Sequence, residues 1–477
     1  MRGFFKLVLA NLTAIFILCA GFFIFFIGFL IISSISEGVD VKQDSVLTLD
    51  LKTRIIDSPS EDQDDIFAFN KEKETSVLLY DILQAINKAK TDDKIKGISL
   101  EIDNFQAGMT QMDDIRNALI DFKKSGKFVY AYGNTVSQGA YYLGSVADKY
   151  YLNPAGLIEL KGLSTEVTFF KNFAEKYGIG IQVIRHGKFK AAVEPFLRDE
   201  ISPENKEQLS TLLNDIWANT SKKIADSRKI SLPELNMITD SLYSYLPNLS
   251  LKYKLADQLI QKSEYDNIIR KKLNIDADKK INKISFAKYS ESLESENDGK
   301  KIAVLYASGA IYNGKGYDGI YAENFVKEIK KIQKDDDIKA VVFRINSPGG
   351  SANASDEILF EMQQLKRKKP VIVSFGDYAA SGGYYIAMGA DKIFSEPNTL
   401  TGSIGVFGVI PYFKELAQKN GIRSDAVTTN ANSNMISAIN GLSPGTLTIM
   451  TRSVEATYQR FVHFVTQNRK KSFEEID

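Results

Sequence analysis

The chain of 477 residues repeats itself, and this limits what it can fold into more than any other feature. GNTVSQGAYYLGSVADKYYLNP, from Gly133, and GDYAASGGYYIAMGADKIFSEP, from Gly376, stand 243 positions apart. At that spacing Tyr141-Tyr142 falls on Tyr384-Tyr385, Ala147-Asp148-Lys149 on Ala390-Asp391-Lys392, and Pro154 on Pro397. DDKIKGISLEID, from Asp92, falls on DDDIKAVVFRIN, from Asp335, and Gly178-Ile179 falls on Gly421-Ile422. A register kept from Asp92 to Ile179 marks an internal duplication. The chain must therefore build one kind of unit twice.

The pattern of each copy says which kind. In the first, Ser45 to Leu51 alternates like a strand, and Gly97 to Ile102 and Phe128 to Tyr132 are β-like. Val77 to Ala89, Met112 to Phe122 and Ala140 to Ala147 have helical spacing, and Asp57 to Asp65 reads as an acidic loop. Strands alternating with helices predict an α/β unit with parallel pairing. Asn205 to Ala225 reads as a long helix carrying the one tryptophan, Trp217, and Ser231 to Leu273 as mostly helical. Residues 277–300 are charged and poor in apolar side chains, which predicts a linker between a first unit at 37–276 and a second at 301–477. The second opens with the strand-like Lys301 to Tyr306. Further on, the β-rich run Val371 to Phe375 reaches a predicted turn at Gly376-Asp377, and Tyr384 to Ala390 reads as a helix.

Ahead of both copies lies a stretch of another kind. Leu7 to Ile32 is 26 residues without a charge, against the roughly 20 a helix needs to span a bilayer. Arg2 and Lys6 precede it; Glu37 and Asp40 follow it. This predicts a retained transmembrane anchor at 1–36 with its N-terminus in the cytoplasm and both repeats on the far side. Such a run is longer than the apolar core of a cleaved signal peptide. Lys and Arg number 60 against 59 Asp and Glu, and no basic arm marks a nucleic-acid partner. The one cysteine, Cys19, allows neither an internal disulfide nor a cysteine metal site. There are two histidines, His186 and His463, so a histidine-dependent site would have to use one of them.

The copies differ where chemistry would sit. Ser381, flanked by Ala380 and Gly382-Gly383 where a strand gives way to a helix, falls on Gln138. Gly349-Gly350 of NSPGGSA fall on Gln106-Ala107. Lys190, in RHGKFKAAVEPF, falls on Ser433. One copy keeps a serine and a glycine-rich turn; the other keeps a lysine. A serine hydroxyl is a weak nucleophile and needs a base. A neutral lysine can serve where burial or a neighbouring cation lowers its pKa. Lys188 and Lys190 both satisfy this by composition. Amides of Gly349, Gly350 and Gly382 are placed to face a developing oxyanion, although SPGG also reads simply as a Pro-Gly turn.

These segments, INSPGGSA, GDYAASGGYYIA and TLTGSIGVFG in the second copy with KFKAAVEPFLRDEIS in the first, resemble the signal peptide peptidase A (protease IV) family in its long, duplicated form. The resemblance covers nearly the whole chain beyond the anchor. It implies tandem Clp protease/crotonase-like domains built from ββα units. It implies a membrane-bound serine endopeptidase with a Ser/Lys dyad: Ser381 as nucleophile, Lys190 rather than Lys188 as general base, and Ser403 of TGSIG positioning the lysine. It implies no metal or cofactor, assembly into a ring that for the long form is a tetramer, and a site in the bacterial inner membrane facing the periplasm. The implied substrates are remnant signal peptides and other membrane-associated peptides.

Two other readings compete: a catalytically inactive membrane scaffold, and a crotonase-like enzyme acting on an acyl-CoA. The second gives Ser381 and a lysine from the other repeat no purpose. The first copy also runs on from Asn236 through LKYKLADQL to about Leu273, whereas the second ends at Asp477 without a counterpart. The sequence therefore reads as shortened at its C-terminus relative to the family.

Overall fold

Two parallel sheets, one per repeat, carry the chain in the computed structural model. The structure describes residues 2–34, 39–49, 53–59, 75–104, 106–187, 190–293 and 299–476. In the first sheet the strands lie in the order Gln258–Leu259, Lys149–Ile158, Phe128–Val136, Ile95–Glu101, Ser45–Leu49, Lys283–Ser285, each parallel to its neighbours. In the second the order is Lys301–Ser308, Ile338–Ser347, Val371–Ala380, Lys392–Phe394, and Leu400–Gly402 also pairs with Val371–Ala380. Parallel neighbours need crossovers, and the amphipathic helices Met109–Lys123 and Ala352–Lys366 supply equivalent ones.

The duplication reappears element by element. Ile95 and Ile338, Phe128 and Val371, and Lys149 and Lys392 each open a strand. Lys171–Tyr177 matches Lys414–Lys419, and the helices Pro203–Arg228 and Pro444–Arg469 are both 26 residues long. Each repeat has its own core. Ile98, Leu100, Ile115, Leu119 and Phe122 fill the first. Val341, Phe343, Ile358, Met362 and Val373 fill the second, closed by Phe461 and Val465. Each such side chain contributes about 1.5–3 kcal/mol by leaving water.

Three expectations change. The predicted turn at Gly376-Asp377 is strand: Val371–Ala380 runs through it, with an irregular step opposite Ile345 to Ser347 that lets it go on to pair with Leu400–Gly402. Asp377 instead turns its carboxylate to the first repeat and accepts from Thr110 N and Oγ1 at 2.9 and 3.1 Å. The predicted linker is partly structured. Lys283–Ser285 joins the edge of the first sheet, and Phe286 and Tyr289 of the helix Phe286–Glu291 are buried in the first core. Those few apolar side chains sit at inward positions of a stretch whose overall charge hides them. Third, Arg2–Ser34 is one helix, yet over the described residues no helix is long and apolar enough to cross a membrane. The expected span at 7–32 thus has no support from the structure and rests on the sequence.

The repeats meet along polar seams. Asp57, just past the strand Thr53–Ile56, is buried against the second sheet. It accepts from Arg344 Nη2 at 3.1 Å and Asn346 Nδ2 at 2.9 Å. Asp113 accepts from Asn398 Nδ2 at 2.7 Å. Asp114, beside Asp113 on the same helix, has its carboxyl pushed up to about 6 by burial, with nearby Arg344 pulling the other way. Most directly, Gly180–Arg185 of the first repeat pairs antiparallel with Phe407–Tyr412 of the second.

Candidate active site

That last ladder sets the site. It carries the chain leaving Arg185 over the second repeat, and Lys190 arrives at the end of Val371–Ala380. Lys190 Nζ lies 3.4 Å from Ser381 Oγ, 2.9 Å from Ser403 Oγ and 3.0 Å from the Ser403 carbonyl oxygen. Two residues 191 positions apart thus become neighbours. Lys190 is half-buried, and burial lowers its pKa to about 8. The ring of Phe407 stands 5.9 Å from Nζ, and the backbone of Gly405 gives the lysine stem room: a Cβ there would come within 3.3 Å of Lys190 Cδ.

Ser381 sits in a strained turn. Its φ is 52° and its ψ −118°, a conformation that costs a residue with a Cβ about 1–3 kcal/mol. The turn is held on both sides: Ser381 N donates to the Gly402 carbonyl and Tyr385 N to the Ser381 carbonyl, each at 2.9 Å. Ser403 is also at positive φ, 49°, so both hydroxyls are presented from backbone that the surrounding bonds hold in place.

The glycine-rich turn comes against this corner. A Cβ at Gly349, whose φ is 99°, would fall 2.6 Å from Gly382 N and 2.8 Å from Ser381 Cβ. A Cβ at Gly382 would fall 3.1 Å from Gly350 N. Only glycine permits that approach. Gly349 N is already taken, donating to Ser347 Oγ at 3.2 Å.

The structure therefore brings together Ser381, Lys190, Ser403, Gly349, Gly350 and Gly382. His186 is placed elsewhere: its Nδ1 is 2.5 Å from Glu455 Oε2 and its ring stacks on Tyr458. Lys188 lies outside the described residues. Among the described residues no group of His, Cys, Asp or Glu is arranged to hold a metal ion. Sequence reasoning missed the positive φ of Ser381 and the closeness of Phe407 and Gly405 to the lysine. The last two were within reach, because both lie within four residues of Ser403 in GSIGVFG.

The chain is similar to known proteases. The model of peptidase family S49 matches residues 121–276 and 363–477, and that of Clp protease matches 294–401. Protease 4 of Salmonella typhi is 36% identical over 477 residues, covering 96% of this chain and 77% of that protein. Protease 4 of Haemophilus influenzae is 35% identical, covering 83% and 67%. The chloroplastic serine protease SPPA of Arabidopsis thaliana is 33% identical, covering 88% and 62%.

Proposed function

Because the chain belongs to peptidase family S49 and is a serine protease with a Clp protease-like α/β fold, we propose that it is an endopeptidase working through a Ser381–Lys190 dyad. Lys190 Nζ, unprotonated, takes the proton from Ser381 Oγ as that oxygen bonds to the scissile carbonyl carbon. The charge on the carbonyl oxygen is met by the N–H groups of Gly350 and Gly382, while Gly349 lets the turn close on them. The lysine then gives its proton to the departing amine as the C–N bond breaks. A water, deprotonated by the same amine, releases the acyl group and restores Ser381. Ser403 holds Nζ in line throughout.

One observation carries this reading: an amine with a lowered pKa lies within reach of a strained serine. The 3.4 Å separation is longer than a tight hydrogen bond, as is usual before substrate orders a catalytic pair. Burial disfavours the ammonium form, so the neutral base gains population as pH rises through about 8. Acylation should therefore fall by about tenfold for each unit below that midpoint.

The wider setting follows the same proposal. The apolar run 7–32 anchors the chain in a bacterial inner membrane with the repeats on the periplasmic side, and its substrates are remnant signal peptides and similar membrane-associated peptides. Copies associate head to tail into a tetramer. Two unused edges support this. Residues 423–428, the second repeat's counterpart of Gly180–Arg185, are exposed and outside any strand. Residues 164–169, the first repeat's counterpart of Phe407–Tyr412, are also outside any strand. Joining these between copies would repeat the ladder already made within one chain.

A fluorophosphonate probe on the full chain tests the dyad. Wild type and Lys188→Ala should label; Ser381→Ala and Lys190→Ala should not. A folded wild-type chain that takes no label sinks the proposal and favours the scaffold reading. Loss of label in Lys188→Ala alone moves the base to Lys188.

A further inference from the structure

Lys190 lies in a stretch with little regular structure of its own. The strand before it ends at Arg185, and the short 3-10 turn Ala191–Val193 and the one-turn helix Glu194–Leu197 follow. A base must be held to a fraction of an ångström to work, so something must fix this segment from its far side. Glu194 is placed to do so. It is 2% exposed, and its carboxylate accepts from Ser202 Oγ, from Ser202 N at 3.3 Å and from Asn205 Nδ2 at 2.9 Å. Burial works against the ionised form, but the Ser202 and Asn205 bonds prevail and hold the carboxyl below its ordinary range. Ser202 and Asn205 begin the helix Pro203–Arg228, which Ile224 and Ala225 root in the first core.

The second repeat shows that the helix does not require this carboxylate. Pro444–Arg469 starts in the same way, with Ser443 Oγ accepting from Thr446 N at 3.2 Å. The positions that register with Glu194 are Ser437 or, allowing for the two-residue slip before Ser443, Met435. Neither is acidic. Ser443 Oγ pairs with Thr446 Oγ1 at 2.8 Å, and Ser437 Oγ accepts from Ile439 N and Asn440 N. The carboxylate is present in the repeat that carries the lysine and missing from the one that lacks it.

We propose that Glu194 is a positioning residue for Lys190: its carboxylate staples the lysine-bearing segment to the first turn of Pro203–Arg228 and so holds Nζ between Ser381 and Ser403. This rests on the Ser381–Lys190 reading. The staple acts at four residues' distance and touches no substrate. Without it the segment keeps its upstream ladder and the contacts of Pro195 and Phe196 with Phe170 but loses its tie to the helix Pro203–Arg228, and the amine is free to move toward water.

The test is the rate of fluorophosphonate acylation of the full chain between pH 6 and 10. Glu194→Ala should slow acylation by about 100-fold near neutral pH. It should also move the pH midpoint upward from the wild-type value, because an amine no longer held in its half-buried place returns toward ordinary lysine behaviour. Glu194→Gln keeps the length and one acceptor oxygen, so it should stay within about tenfold of wild type with the midpoint unmoved. A folded Glu194→Ala with wild-type rate and midpoint overturns the proposal. So does an equal fall in both variants with no movement of the midpoint, which would mark a role in stability alone. Should Glu194→Ala fail to fold, Glu194→Asp, one methylene shorter, carries the same two readouts: a raised midpoint supports the staple and an unmoved one refutes it. A wild-type chain that takes no label is a separate result, and it refutes the dyad itself.

Discussion

The corner at Ser381 and the corner at Gln138 are the same place in two copies of one fold, yet they are built differently. At Gln138 the turn is relaxed. Ser137 caps the helix Gln138–Gly144 from ordinary extended backbone, φ −65° and ψ 156°, and accepts from Ala140 N. The Gln138 side chain reaches across: Oε1 accepts from Lys161 N and Gly162 N at 3.0 Å, and Nε2 donates to the Gly162 carbonyl at 3.1 Å. Gly162 is the counterpart of Gly405, beside which Lys190 lies in the other copy. The counterpart of Ser403 is the fully buried Leu160. The first copy fills its own corner with an amide; the second leaves its corner for a lysine from outside and bends the backbone to offer a hydroxyl. Strain at Ser381 is thus not something the fold imposes, because the same fold does without it 243 residues earlier.

The contrast breaks most sharply at the lysine. Lys190→Ala should lower kcat by about 10³-fold, as loss of a general base does, whereas Gln138→Ala should leave kcat near wild type. A comparable kcat loss in both would mean that the first corner also takes part in the chemistry. Next in size is the seam that keeps the two corners in register. Asp57→Ala leaves Arg344 and Asn346 without their carboxylate, and removing one partner of a buried ion pair costs about 3 kcal/mol. Urea unfolding should show that loss, and label uptake at Ser381 should fall with it because Ser381 and Lys190 stand on opposite sides of the same boundary.

Smaller effects refine the picture. Ser403→Ala removes one of the oxygens bonded to Lys190 Nζ; kcat should fall about tenfold, the equivalent of one hydrogen bond of about 1.4 kcal/mol. Smallest is a stability gain in a dead enzyme. Ser381→Gly removes the Cβ from a backbone at positive φ and should raise unfolding free energy by about 1 kcal/mol while abolishing label uptake. Gln138→Gly, made on relaxed backbone, should lower stability instead. If both substitutions act with the same sign, the two turns do not differ in strain.

How much of this was legible beforehand differs from residue to residue. The offset that joins Gly133 to Gly376 also marks the elements, because side-chain spacing within a copy sets which face is buried. Ser381 and Lys190 stood out because each lacks an equivalent in the other copy, whereas the preference for Lys190 over Lys188, and Ser403 itself, came only from the resemblance to a known family. The strand through Gly376-Asp377 was hidden, since glycine beside aspartate is turn chemistry locally and here is overridden by pairing with Leu400–Gly402. Lys283–Ser285 was hidden because its pairing partner, Ser45–Leu49, is more than two hundred residues away.

The sequence by itself determined that one α/β unit would be made twice and that the copies would differ where Ser381 and Lys190 stand. Local spacing and composition are enough for that. Only the tertiary structure decided that they meet. A lysine in an irregular segment has no placement of its own. Lys190 obtains one from the ladder between Gly180–Arg185 and Phe407–Tyr412, two strands in different repeats. The same packing half-buries its amine and lowers its pKa. It also keeps Ser381 at a backbone angle that no isolated turn of these residues would favour.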